Sequence, residues 1–316
     1  MRDAQALAAA GRVEEAVALL RAGAGRGEVD ALLMLAAWHV LGCGVARDMA
    51  AARDLYGRAA EAGSAAGAQL YLACLVTGSG GPVDWLAAMD LLRARAAEDA
   101  DAAHQLALLG PMALGEGGAP AMLPPAEALS DTPWVRIVRG AASPAECDYV
   151  AALAAPRLAP SMVIDPRTRQ SMRHPVRNSD AANFPVLAEN AVIRALNLRI
   201  AALTGTDVAQ GEPLQILRYA NGQEYRPHGD YLPGEANQRI LTAILYLTDG
   251  YAGGETRFTA TGLAVSGGKG DLLIFRNTDA DGTPDRLSAH AGQPVTAGVK
   301  MIATRWIRAA PLPAAM

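Results

Sequence analysis

The sequence predicts a multidomain α and β protein: a helical-repeat half followed by a β-rich half of sandwich or jelly-roll type. Three observations carry that expectation. Residues 1–112 are rich in Ala and Leu, with apolar side chains three and four apart. Residues 113–133 concentrate Gly, Pro and Ala without period and read as a linker. After Gly205, short apolar runs are parted by Gly, Pro, Asn and Asp, the pattern of strands and turns. At 316 residues the chain is long enough for two cores, and 51% apolar with 19% charged residues excludes a disordered chain. A net charge of −4, from 28 basic and 32 acidic residues, offers no basic surface and argues against nucleic acid or anionic membrane as partners. No stretch approaches the roughly 20 apolar residues of a spanning helix, and the N-terminus, with Glu14 and Glu15, lacks a signal-peptide core. Cys43, Cys74 and Cys147 are few, odd in number and far apart. They read as buried thiols in a reducing cytoplasm, not as a disulfide network.

In the first half, apolar spacing predicts helices over 13–20, 31–40, 50–60, 68–75 and 85–97. Internal similarity recurs at a period near 36: Glu61-Ala62-Gly63 aligns with Glu98-Asp99-Ala100, and 31–36 aligns loosely with 68–73. A repeat of that length built from two helices implies a solenoid. The run from Leu41 through Gly42, Gly44 and Asp48, then Leu55-Tyr56 and Ala59-Ala60-Glu61-Ala62-Gly63, resembles the Sel1-like repeat. Gly42 and Gly44 permit backbone angles closed to other residues, and Asp48 can cap the next helix. A plain helical bundle with a chance glycine turn is the competing reading. His39 and His104 lie on apolar helices and read as packed residues, not ligands.

From Trp134 the pattern changes. A short strand is expected over 134–138, a helix from Ser143 to about Ala154, and a second helix over 190–203. Ser143 and Glu146 have capping-box spacing. Strands follow over 214–219, 240–248, 256–258, 271–275 and 299–307.

Within this half stands His228-Gly229-Asp230, with His290 some sixty residues on and Lys300 ten beyond that. Strand alternation would put His228 and Asp230 on one face. Two imidazoles and a carboxylate, with open positions left over, form the ligand set of a non-haem Fe(II) oxygenase. Lys300 adds a fixed cation where an acidic co-substrate could dock. A lone His-x-Asp is weak, but its surroundings strengthen it. The blocks Glu212–Tyr219, Asn221–His228, Leu245-Tyr246-Leu247-Thr248 and Gly253–Phe258 precede Gly270–Phe275, His290–Val295 and Lys300–Ile307 in order. Together they closely resemble the prolyl 4-hydroxylase family of Fe(II)/2-oxoglutarate dioxygenases, whose fold is a double-stranded β-helix.

The resemblance implies hydroxylation of an aliphatic carbon, foremost of prolyl residues in a peptide or protein, with release of succinate and CO2. Fe(II), 2-oxoglutarate and O2 are then required, with ascorbate as reductant. It assigns the metal to His228, Asp230 and His290, the far carboxylate of 2-oxoglutarate to Lys300, and the lining of that pocket to Tyr219 and Thr256. Tyr225, Glu212, Arg239 and Trp306 fall on substrate-groove positions, and Arg177 on a lesser pocket position. His174 reads as a surface residue. Departures are Gly229, where the family often has a bulky residue, the short 232–238 loop, and a compact segment after Phe258. They bear on substrate identity and leave the metal set untouched. Ser266-Gly267-Gly268-Lys269-Gly270 lacks P-loop spacing and reads as a turn.

The expectation is a cytoplasmic enzyme of helical repeats (1–112), linker (113–133) and dioxygenase (134–310), in which the repeats present a concave surface to the peptide. Both repeats and jelly-roll edges can support a dimer. The alternatives are a hydroxylase of a free amino acid or small natural product, and a non-catalytic interaction scaffold.

Overall fold

The computed structural model describes residues 2–164, 171–173, 176–279 and 281–313, and His174 lies outside them. Contacts divide the chain into two compact units. One is built from the stretch up to Ala119 with Pro185–Ala195 and Pro313, and the other is Pro120–Phe184 with Leu196–Leu312.

The first unit is helical: α1 (Arg2–Ala9), α2 (Val13–Gly25), α3 (Val29–Leu41), α4 (Met49–Glu61), α5 (Ala65–Thr77), α6 (Trp85–Arg95) and α7 (Ala100–Leu109). Each packs against the next in sequence. Leu20, Leu32, Leu35, Leu55 and Tyr56 form its core with Cys74 and small alanines. The caps repeat. The Asp48 carboxylate accepts from the Ala51 amide at the start of α4, and Asp84 accepts from Ala87 at the start of α6, 36 residues on. Gly44 (φ +69°) and Gly80 (φ +75°) hold the same place in the two turns. A Cβ on Gly44 would lie 2.5 Å from Val13, and one on Gly80 only 2.0 Å from the Met49 carbonyl, so neither turn admits a side chain. Two expectations are corrected. Cys43 is exposed while Cys74 and Cys147 are buried, and His104 is exposed where packing was expected. Both positions fall where a helix or turn faces water, which apolar periodicity does not resolve.

The second unit carries α8 (Pro144–Ala154) and, across Leu196–Thr204, most of α9 (Ala191–Thr204). The Ser143–Glu146 capping box forms as expected. Its strands are β1 (Ala126–Asp131), β2 (Trp134–Val138), β3 (Ala159–Pro160), β4 (Met162–Ile164), β5 (Ser171–Arg173), β6 (Asp180–Phe184), β7 (Leu214–Tyr219) and β8 (Tyr225–His228). They continue as β9 (Arg239–Tyr246), β10 (Ala252–Gly253), β11 (Thr256–Phe258), β12 (Ala264–Val265), β13 (Leu272–Arg276), β14 (His290–Gly292), β15 (Val295–Ala297) and β16 (Lys300–Arg308). An eight-stranded sheet runs β1-β2-β13-β9-β16-β7-β6-β3, and a four-stranded one β12-β11-β14-β8. The pairings are antiparallel. The two sheets share one apolar core: Ile137, Leu217, Ile244, Phe275 and Ile302 from the larger meet Phe258 and Val265 from the smaller. This is a jelly-roll arrangement.

The stretch 113–133, read as linker, is not structureless, for β1 lies inside it and pairs with β2. Its residues Ala-Glu-Ala-Leu-Ser-Asp are mostly exposed on a sheet edge, so no apolar alternation announces them. Lys269 and Gly270 form a turn whose lysine pairs with Asp148, and the phosphate-binding reading stays dismissed.

Candidate active site

Register brings the site together. On the smaller sheet His290 of β14 pairs directly with His228 of β8, and Thr256 of β11 pairs with Gly292. On the larger sheet Lys300 of β16 pairs with Tyr219 of β7. A pocket opens among these residues, lined also by Tyr225, Asp230, Thr242, Thr304 and Trp306. Alternation along β16 turns Lys300, Ile302, Thr304 and Trp306 into it, as the sequence predicts.

Alternation does not explain Asp230. The strand ends at His228, so Asp230 sits in the following bend and is held by a hydrogen bond from the Thr242 hydroxyl to its Oδ2 (2.6 Å). The expectation that one strand carries both ligands is corrected on that point.

Each imidazole sets its Nδ1 against a backbone carbonyl: Arg226 for His228 (2.9 Å) and Ser288 for His290 (3.0 Å). A carbonyl only accepts, so Nδ1 carries the proton and the Nε2 lone pair is left free. His228 Nε2 lies 3.7 Å from Asp230 Oδ1, and His290 Nε2 lies 3.9 Å from Oδ2. These gaps are too long for hydrogen bonds and under twice a metal–ligand bond of about 2.1 Å. Among the described residues, this is the group of ligand-bearing side chains close enough to share an ion, with all ligand atoms within 4.8 Å of one another. The donor set fits a divalent iron. Tyr225 stacks on the His228 ring at 3.4 Å, and Phe275 meets His290 edge-on at 4.7 Å, so neither ring can swing away.

Burial, then the neighbouring His290, pushes the His228 pKa down. Burial opposes charge on Asp230 as well, but His290, His228 and the Thr242 hydroxyl outweigh it and hold the carboxyl below its usual range. An ionised Asp230 beside a neutral His228 is the form that binds metal.

Lys300 is 3% exposed, and its Nζ donates to the Gly254 carbonyl (2.6 Å). Burial lowers its pKa to about 8, against a smaller opposing pull from Glu255. Among the described residues no carboxylate forms an ion pair with it. A buried ammonium with spare donors fits an anionic ligand. Tyr219 and Thr256 are buried beside it in the same cavity.

The four predicted substrate residues divide. Tyr225 and Trp306 line the cavity, whereas Glu212 and Arg239 stand behind Trp306. Arg239 lies over the Trp306 ring at 4.1 Å and is clamped to Glu212 by two 2.7 Å bonds, while Arg308 shares the same carboxylate. Arg177 also stays outside the lining, donating to Gln215 and lying over the Tyr225 ring at 5.2 Å. Sequence reasoning missed Thr242 and Asn277. The available signal was a threonine in the middle of the apolar run of β9.

Residues 214–308 match the family model described as the 2OG-Fe(II) oxygenase superfamily. Over 202 residues, 58% of this chain and 71% of the relative, the sequence is 35% identical to Prolyl 4-hydroxylase 1 of Arabidopsis thaliana. Identity is also 35% over 205 residues to Probable prolyl 4-hydroxylase 3 of the same plant, covering 57% and 71% of the two chains. Among solved structures, the viral collagen prolyl hydroxylase of Paramecium Bursaria Chlorella virus-1, in its 2OG complex, aligns with a TM-score of 0.46 and 26% identity, covering 58% of this chain and 99% of that one. Fold, donor set and the sequence matches together define an Fe(II)- and 2-oxoglutarate-dependent dioxygenase. Within that class, the chain belongs to the prolyl 4-hydroxylase family.

Proposed function

We propose that this enzyme hydroxylates prolyl residues of a peptide or protein, with His228, Asp230 and His290 holding Fe(II) and Lys300 pairing with the far carboxylate of 2-oxoglutarate. The observation that carries the reading is the buried Lys300, without an ion pair among the described residues, lining one cavity with a His/His/Asp cluster. Bound iron, with 2-oxoglutarate and dioxygen, supplies the oxidising power to insert one oxygen atom into a C–H bond while the co-substrate leaves as succinate and CO2, and ascorbate serves as reductant. The chain's own residues do the rest. Tyr219 and Thr256 border the co-substrate, the apolar walls of Ile244 and Ile302 exclude water, and Tyr225 and Trp306 flank the target residue. Glu212 and Arg239 act by holding Trp306 in place.

The helical unit is read as a Sel1-like solenoid whose surface receives extended peptide, supported by the caps and glycines that recur 36 residues apart. A cytoplasmic setting agrees with three unpaired cysteines. No helix among the described residues is long and apolar enough to cross a membrane.

The test is succinate release by anaerobically Fe(II)-loaded enzyme, started with air, with and without proline-rich peptides. His228→Ala is the control. Peptide-stimulated turnover with a one-oxygen mass gain on proline is expected. Turnover that free amino acids or other small molecules stimulate, and no peptide does, would replace the peptidyl reading. No turnover and no iron binding would leave a scaffold.

A further inference from the structure

We infer that Thr242 and Asn277 form a positioning relay that commits one oxygen of Asp230 to the protein and leaves the other for the metal. The inference rests on the metal-centre reading above. The Asp230 carboxylate accepts from Thr242 Oγ1 at 2.6 Å, and Thr242 Oγ1 accepts from Asn277 Nδ2 at 2.9 Å. The direction is forced. An ionised carboxylate can only accept, so the single hydroxyl proton of Thr242 is spent on Asp230. Its oxygen can then only accept, and the amide must present Nδ2. Turning the Asn277 amide over would set two acceptors against each other.

The cost of this arrangement identifies its purpose. Thr242 and Asn277 are each 1% exposed, and Asn277 Oδ1 is buried with no hydrogen-bond partner among the described residues. Leaving such an acceptor unpaired costs about 1–3 kcal/mol, and apolar residues of similar volume would suit the core better. What the pair secures is Oδ2 of Asp230. No other hydrogen bond among the described residues reaches that carboxylate, so Oδ1, which faces His228 Nε2 at 3.7 Å, is left unclaimed.

Asn277 also ties in the second arm of the site. Its backbone N–H donates to the Ile240 carbonyl on β9, and its backbone carbonyl accepts from the Asp285 N–H, closing the loop from β13. That loop ends in the turn Arg286–Ser288, and the Ser288 carbonyl is the acceptor that orients His290. Asn277 therefore supports the carboxylate through Thr242 and, by its backbone, the histidine through the loop. Polar partners behind metal ligands commonly matter this much: their loss typically lowers metal affinity about 10- to 100-fold.

The experiment titrates metal-free full-length enzyme with Co(II), reading both affinity and the d–d absorption bands. It compares wild type with Thr242→Val, Thr242→Ser and Asn277→Ala. Thr242→Val should bind about 10- to 100-fold more weakly, with altered bands because both Asp230 oxygens become free to rotate. Thr242→Ser, which restores the hydroxyl, should recover most of the affinity and the wild-type spectrum. Asn277→Ala should fall between. A merely structural role would lower melting temperature and leave affinity and spectrum unchanged, and that result overturns the relay. If Thr242→Val does not fold, Asn277→Ala against wild type decides, with equal affinity and spectrum overturning the inference. Wild type that binds no Co(II) would overturn the metal-centre reading and the relay with it.

Discussion

At Lys300, burial and charge are in direct opposition, and the pH behaviour of the enzyme follows from that conflict. Its pKa is about 8, against 10.5 for an exposed lysine. Below pH 8 both folded and unfolded chains carry the charge, and the cost of burying it is fully present. Between about 8 and 10.5 the unfolded chain binds more protons, so stability of the ligand-free enzyme rises with pH from this group. Co-substrate binding should move the other way. The KM for 2-oxoglutarate should climb as pH passes 8, while Lys300→Arg, which stays charged, should flatten the climb. Lys300→Ala should weaken 2-oxoglutarate binding by about 2–5 kcal/mol, the cost of removing one partner from a buried charge pair. A KM that is flat from pH 7 to 9 in wild type would refute the assignment. Towards acid, His228 is held neutral by burial, so below its ordinary 6.5 the unfolded chain takes up a proton that the folded one refuses. Asp230, held below its usual range, extends the loss to lower pH. The urea midpoint of metal-free enzyme should therefore drop between pH 7 and pH 5, and an unchanged midpoint would contradict the neutral-imidazole description.

Among the elements, register and caps do the positioning. His228 and His290 meet because β8 and β14 pair at those residues, and a slip of either strand by one residue would turn its own ring to the outer face. The wall formed by β16 depends on support from behind, since Trp306 is fixed by Arg239 and Arg239 by Glu212. Glu212→Ala should therefore raise the KM for peptide about tenfold, equivalent to roughly 1.4 kcal/mol, and leave the KM for 2-oxoglutarate unchanged. A parallel change in both would mean that Glu212 acts on the whole cavity. At the start of α8, Ser143→Ala removes half of a capping box and should cost about 1 kcal/mol in denaturant unfolding without altering metal affinity. The strands with strong apolar runs, β2, β7, β9, β13 and β16, were legible within a residue or two. Among the short strands, β11 was read at its observed bounds, whereas β8 and β14, which carry the histidines, were not bounded, because so short a segment has no measurable period. Exposed β1 was missed for the related reason that an edge strand has no buried face to mark.

For the molecule as a whole, the metal site should be a source of stability as well as chemistry. Metal and co-substrate bind the folded chain alone, so ligand at 100 times its Kd adds about 2.7 kcal/mol. For a unit of this size that corresponds to a rise in melting temperature of roughly 5–10 °C, reversed by a chelator. A melting curve indifferent to Fe(II), Mn(II) and 2-oxoglutarate would deny them a common site.

The chain itself carried the signals for a helical and a β-rich stretch, for a His/His/Asp cluster and for a cation beside it, because each is written in residue type and spacing: a helical period, a His-x-Asp with a distant His, a lysine ten residues on. What folding alone decided lies between residues far apart in sequence. It clamped Arg239 to Glu212 and so took both out of the cavity lining, it assigned Pro185–Ala195 to the helical unit, and it set Thr242 and Asn277 behind Asp230. A hydrogen bond across 35 residues, or a guanidinium's choice between substrate and carboxylate, depends on distances that no local pattern encodes.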